Sequence, residues 1–338
     1  MFEQIWTITR NTFIESIRQP IFLVVVLANI LLMILGLMWS ANTLENDNKL
    51  LVDMDLSMMF VGGLALAAFT AAGVMSREIE NKTVLTVVSK PIARPAFVIG
   101  KFIGVAGATA LAFWIWSMVF FMSLRHEVMA ATWNHVDMPV ISFGAGSALL
   151  AALICLWGNY FYNWVFSSRF VVIFAVLITV GYIMVLMINK GWQFQPITAE
   201  FRKTVGTMHQ RSFLGDIMVA TFMVFQGVMI LSAVALACST RMGQVMTLVV
   251  CSVVWSMGML SDWMFGRFLD TPNPVMWVLA RIGYAVSPNF QFLWMADALS
   301  NERSIDIGYL TQVSVYSGCY IVAVLALAIA LFQTRETG

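Results

Sequence analysis

SREIENKTVLTVVSKPIARPAFVIGK, residues 76–101, is a compact charged segment between two long apolar runs. Arg77, Glu78, Glu80, Lys82, Lys90, Arg94 and Lys101 crowd into it, whereas charge is sparse in the apolar runs on either side. Helix can continue as far as Val88. Ser89-Lys90-Pro91 then reads as a break, because proline lacks an N–H and restricts the residue before it. Arg94-Pro95 places a second proline where a new helix can begin. A short, stiff, charged bend between two apolar spans suits a docking surface for a soluble partner. The plainer reading is a topogenic loop whose basic residues hold it in the cytoplasm.

Working outward, the flanking segments are membrane spans by length and composition. The chain has 338 residues, of which 60% are hydrophobic and 11% charged, against about 25% charged in a soluble domain. So little charge, with apolar runs of about 20 residues, predicts an all-α polytopic membrane protein. A formal net charge of +1 leaves no basic surface for nucleic acid. Cys155, Cys238, Cys251 and Cys319 lie in or beside apolar runs and form no C-x-x-C pair, so no disulfide framework or zinc site is expected.

The span before the charged stretch, 56–75, is rich in Gly62, Gly63, Ala67, Ala68, Ala71, Ala72 and Gly73; the span after it, 96–124, carries Gly100, Gly104 and Gly107. Such side chains let helix backbones approach closely, and the G-x-x-x-G spacing reads as packing within the subunit. Upstream, residues 41–55 are polar and mostly acidic and read as an external loop, and 21–40 as the first span. Residues 1–19 are amphipathic. At about 100° per residue Phe2, Ile5, Trp6, Phe13 and Ile17 share a face, so the segment reads as an interfacial helix rather than a signal peptide.

Downstream, further spans are expected at 140–166, 170–189, 217–238, 244–260 and 309–332, about eight in all. Arg125 to Pro139 reads as an external loop and Ser167-Ser168-Arg169 as a tight turn. Ser239-Thr240-Arg241 occupies a matching position, which hints at a diverged duplication. Residues 190–216 fall outside by alternation, yet Lys190, Arg202, Lys203 and Arg211 offend the positive-inside rule. Residues 261–306 hold two apolar pieces, 275–286 and 290–299, each too short to span and so re-entrant or interfacial.

Arg77-Glu78, Glu80-Asn81, Thr83, then Ser89-Lys90-Pro91, Arg94 and Gly100-Lys101-Phe102 resemble, in order and position, the cytoplasmic loop of type-2 ABC exporter permeases. The resemblance implies a single permease domain over 20–338. It further implies an elbow helix over 1–19, a coupling helix within 76–95 seated in a cleft of the ATPase, and an external re-entrant helix pair within 261–306 before the last span. It makes Arg77, Glu78, Glu80, Lys82, Thr83, Pro91 and Arg94 the ATPase-coupling residues. Where that family usually has glycine before the threonine, this chain has Lys82. The resemblance also implies two ATPase subunits per complex, which bind the ATP and Mg, and a permease homodimer or a heterodimer with a related permease. The setting would be the inner membrane of a prokaryote, in contact with membrane lipids, with both termini cytoplasmic.

The chain itself shows no enzymatic signature. No G-x-x-x-x-G-K-[ST] is present to cradle nucleotide phosphates. His126, His135 and His209 are scattered, with no H-E-x-x-H, and no nucleophile stands at a recognisable spacing from a base. The 24 methionines suit irregular packing in apolar helices. Polar residues inside spans are the remaining functional candidates. Asn29, Asn159, Asn163 and Gln226 either line a translocation path or bond a neighbouring helix. No acidic residue is placed in mid-membrane, which counts against an ion-driven carrier. The expectation is a permease subunit of an ATP-driven exporter; the rivals are a secondary transporter without an ATPase and a membrane scaffold that binds a signalling partner.

Overall fold

The computed structural model describes residues 2–40, 47–80, 93–126, 128, 136–197, 213–269, 273–296, 299 and 306–333. Within them lie eleven α-helices and no strand. They are α1 (Phe2–Arg18), α2 (Pro20–Ser40), α3 (Asp47–Glu80), α4 (Arg94–His126), α5 (Met138–Tyr162), α6 (Phe166–Met187), α7 (Phe213–Ser239), α8 (Gln244–Met259), α9 (Ser261–Met264), α10 (Pro274–Val286) and α11 (Ile307–Gln333). Helix is the form in which an apolar segment satisfies its own backbone N–H and C=O groups without water. Hydroxyls inside the helices are satisfied in the same way, as Thr70 donates to Leu66 O at 2.6 Å and Ser232 to Val228 O at 2.8 Å.

Seven helices are long and apolar enough to cross a membrane: α2 to α7 and α11. α8 joins them as an eighth if it is counted with residues 261–268, from which it is bent by 71°. The chain is a multi-pass, all-helical protein.

α3 and α7 form the centre, with 78% of each apolar window buried, against 28% for α2 and 17% for α11. Small residues produce that centre. A Cβ on Gly63 would come within 2.5 Å of Val228 Cγ2, so α3 and α7 touch backbone to side chain. α2 runs antiparallel along α3, with Gly36 beside Met58, Asn29 over Gly62 and Gln19 over Gly73. Fully buried Trp116 of α4 donates its indole N–H to Val26 O of α2 at 3.2 Å.

α1 packs lengthwise on α4. Gly100 of α4 faces Ile8, Gly104 faces Thr12 and Gly107 faces Phe13, so the two helices advance together in the same sense. The buried residues of α1 are Thr12, Ser16 and Ile17, whereas Phe2 and Trp6 of the expected apolar face are exposed. The cause is the glycine stripe. A Cβ at Gly104 would lie 2.5 Å from Thr12 Cβ, so α4 admits a helix that presents small side chains.

Other boundaries also move. Residues 47–55, expected as an external loop, are the first turns of α3. Leu51, Val52, Leu56 and Met59 make a helical stripe that buries, and the helix continues through the acidic residues. The turn between α5 and α6 falls at 163–165. Asn163 takes the left-handed conformation, φ 52°, and Trp164 N–H bonds Gly158 O at 3.3 Å. Ser167-Ser168-Arg169 therefore belongs to the first turn of α6, and its match with the turn after α7 is lost.

Of the two apolar pieces in the re-entrant region, the first is a helix, and the second opens on a tighter turn before Ala296 and Leu299 return to helix. α10 forms over 274–286, but 290–293 is a single 3₁₀ turn followed by extended Trp294. Asn289 holds this turn, accepting from Gln291 N–H at 2.9 Å on its side-chain oxygen. Phe290 then inserts edge-on against Phe60 of α3 at 5.4 Å, and Leu293 reaches Gly227 of α7. Arg125 and Asp137, expected in an external loop, are both buried and tie three helix ends together. Of residues 190–216, those at 198–212 lie outside the described residues.

Candidate functional site

Alternating helix directions gather one set of ends on one face of the bundle. Ser167 of α6 donates to Arg18 O at 2.9 Å, which places the α5–α6 junction beside the α1–α2 elbow. Gln19 packs on Gly73, which brings the last turns of α3 to the same face. Arg94, at the start of α4, donates from Nη1 to Gln333 O at the end of α11, 2.8 Å away. Phe97 stacks on Phe332 with centroids 5.5 Å apart, and Arg241, in the turn after α7, donates to Leu331 O at 3.0 Å. This elbow face is where 76–95 connects its two helices.

Its electrostatics are basic. Arg10, Arg18, Arg77, Arg94, Lys101, Arg169 and Arg241 lie there among the described residues, against Glu3, Glu15, Glu78 and Glu80. Lys101 is buried and is held by two partners. Glu15 stands 3.8 Å from its Nζ, and the Phe97 ring centroid lies 5.5 Å away. A buried ammonium needs such pairing because desolvation is costly. A cation–aromatic contact adds a smaller attraction.

The expected coupling residues divide into three groups. Arg77, Glu78 and Glu80 belong to the last turns of α3, with their side chains outside the described set. Lys82, Thr83 and Pro91 lie outside the described residues altogether. Arg94 is placed, and it caps α11, supplying a cation and a donor to carbonyls that a helix end leaves unpaired.

The four amides expected along a path do not converge. Asn29 sits on Gly62 with its Nδ2 3.9 Å from Met33 Sδ, 3% exposed. Gln226 donates to Ser314 Oγ of α11 at 2.9 Å. Asn159 donates to Trp164 O at 2.6 Å and Asn163 caps α5, both on the exposed outer side. Two of the four bond to a neighbouring element: Gln226 to the facing helix and Asn159 to the turn after α5. Among the described residues no group of three His, Cys, Asp or Glu is placed to hold a metal ion.

Sequence reasoning missed Asp55. It is fully buried inside the apolar window Lys49–Met75 of α3, and neither carboxylate oxygen has a hydrogen-bond partner among the described residues. Its Oδ1 lies near Gly36 of α2. The signal was present in the periodicity, since Asp55 falls on the same face as Leu51, Val52 and Met59. Its neighbour Asp53 and the nearby charges disguised it as loop.

No family model and no curated protein sequence matches the chain.

Proposed function

We propose that this chain is the membrane-spanning permease subunit of an ATP-driven exporter of the type-2 ABC kind. Two permeases, identical or related, form the path at their interface. Two separate ATPases bind ATP and Mg and each receives one 76–95 loop. The observation that carries the reading is where this loop attaches. It joins the end of α3, a helix at the centre of the bundle, to the start of α4, which packs on α1, α2, α3, α6, α7 and α11. A push on such a loop reaches the core directly, whereas a push on α5 or α11 would meet the periphery.

In this reading the elbow face is cytoplasmic, in keeping with its excess of arginine and lysine. The membrane is the inner membrane of a prokaryote. α1 is the elbow helix, and α8 to the 3₁₀ turn is the external re-entrant element. Glu78 and Glu80 offer charge to the ATPase cleft, Thr83 a polar contact, and Pro91 and Pro95 stiffness. The test is affinity purification of the tagged chain from native membranes, intact and as Glu78→Ala/Glu80→Ala. An ATPase that arrives with the intact chain and is lost from the variant supports coupling. Its absence from both preparations sinks the proposal.

A second reading is favoured by Asp55. An ion-driven carrier needs a titratable group inside the membrane, and Asp55 is a buried carboxylate with no protein partner among the described residues. Transport by a purified, ATPase-free preparation that collapses in Asp55→Asn would establish this reading in place of the first.

A further inference from the structure

A cavity of about 510 Å³ opens at the elbow, lined by Asn11, Ile14, Glu15, Arg18, Gln19 and Pro20. It lies where the amphipathic α1 gives way to the apolar α2, the level at which a bilayer changes from headgroup to hydrocarbon. We propose that it binds the phosphate-bearing headgroup of a membrane glycerophospholipid, whose acyl chain lies along α2. The inference is independent of any coupling to an ATPase.

The donor set is suited to a phosphate. Arg18 supplies a planar guanidinium that can engage two phosphate oxygens at once, and its backbone is fixed by the bond from Ser167 to Arg18 O. Asn11 adds an amide N–H₂. Gln19 is 3% exposed, and its Nε2 has no hydrogen-bond partner among the described residues. The amide is turned onto Gly73 of α3, where a Cβ would come within 2.7 Å of Oε1 and 3.0 Å of Nε2, so Arg18 and Asn11 are the exposed donors of the lining. Glu15 is the one carboxylate in the lining, and Lys101 at 3.8 Å offsets its charge.

The second half of the site is apolar. Pro20, Val24, Leu27 and Leu31 follow one another at helical spacing up one side of α2, and all four are exposed. A polar cavity that continues into an apolar stripe matches an amphiphile rather than a free anion.

The test is native mass spectrometry of the full chain titrated with phosphatidylglycerol. Arg18→Gln and Asn11→Asp, both at exposed positions, are each expected to weaken lipid binding about tenfold, the loss of one charge-assisted hydrogen bond. Arg10→Gln, on α1 but outside the lining, should leave it within about twofold, as expected for an exposed charge. Equal affinity in all four proteins overturns the site, as does an equal loss in Arg10→Gln, which would mean diffuse attraction only. Displacement of the lipid by an equal concentration of glycerol 3-phosphate would overturn the lipid assignment in favour of a free phosphate site.

Discussion

Arg125 Nε and Asp137 Oδ2 stand 3.5 Å apart, with 6% and 0% of their side chains exposed, and together they fasten three helix ends. Arg125 closes α4 and donates from Nη1 to Val185 O and from Nη2 to Ile188 O, at 2.6 Å, where α6 runs out of partners. Asp137 begins α5 and accepts from Val140 N–H at 3.3 Å. One guanidinium thus serves two backbone carbonyls, one of which, Val185 O, also accepts from Ile188 N–H, and a carboxylate, a set suited to its fork geometry.

Removing one member leaves the other buried without its opposite charge. Arg125→Ala is expected to destabilise the bundle by about 3–5 kcal/mol. Arg125→Lys should recover part of this, since one ammonium cannot span both carbonyls and the carboxylate. Unfolding midpoints in detergent would check the order. Arg125→Ala/Asp137→Ala should cost less than the sum of the single changes, and strict additivity would mean the two residues act independently.

Asn29 and Gly62 make a second pair whose dependence can be measured. A Cβ at Gly62 would stand 2.6 Å from Asn29 Oδ1, so Gly62→Ala forces the α2–α3 contact apart, at about 1–3 kcal/mol for overpacking. Asn29→Ala/Gly62→Ala should regain most of that loss, because the shortened side chain vacates the space. A thermal shift of the double variant no better than that of Gly62→Ala would show that some other contact sets the spacing.

The spans were legible because hydrocarbon length and backbone satisfaction leave little choice: 21–40, 96–124, 217–238 and 309–332 each fall within the helix that forms. What escaped was tertiary. Nothing local in Thr12 or Ser16 announces that they, rather than Phe2 and Trp6, face the protein; that follows from a glycine stripe about ninety residues away in sequence. The turn at Asn163 was hidden because the serines after it look more like a turn than Tyr162-Asn163-Trp164 does. Phe290 to Leu293 has a helical composition, yet it forms a 3₁₀ turn that sets Phe290 against Phe60. Of the candidate site, Arg94 was named from the motif it completes, and its partner on α11, 239 residues on, leaves no local trace.

Asn289 should prove the main tie of the re-entrant region. It is 2% exposed and donates from Nδ2 to Asp262 Oδ1 at 3.1 Å and to the Tyr284 hydroxyl at 3.0 Å, while its backbone N–H donates to the Tyr316 hydroxyl at 2.9 Å. Asn289→Ala keeps the backbone bond and strands the rest, at about 1–3 kcal/mol. Hydrogen exchange is expected to rise over 259–293 with α3 and α7 unchanged. Uniform deprotection of the whole bundle would instead make this region part of one cooperative unit.

Asp55→Asn tests what a lone carboxylate inside α3 is for. Burying an unpaired carboxyl group is costly, and the amide keeps the shape while removing the ability to ionise. If Asp55 is only a packing residue, the variant should unfold at the same or a higher temperature than the parent and transport should persist. Asp55→Lys, which brings a longer cation to the same fully buried position beside Gly36, should lower the midpoint steeply in either case. A stable Asp55→Asn protein that has lost transport separates the roles. The residue is then retained for chemistry at a cost in stability, and ion dependence of transport in the parent becomes the next quantity to measure.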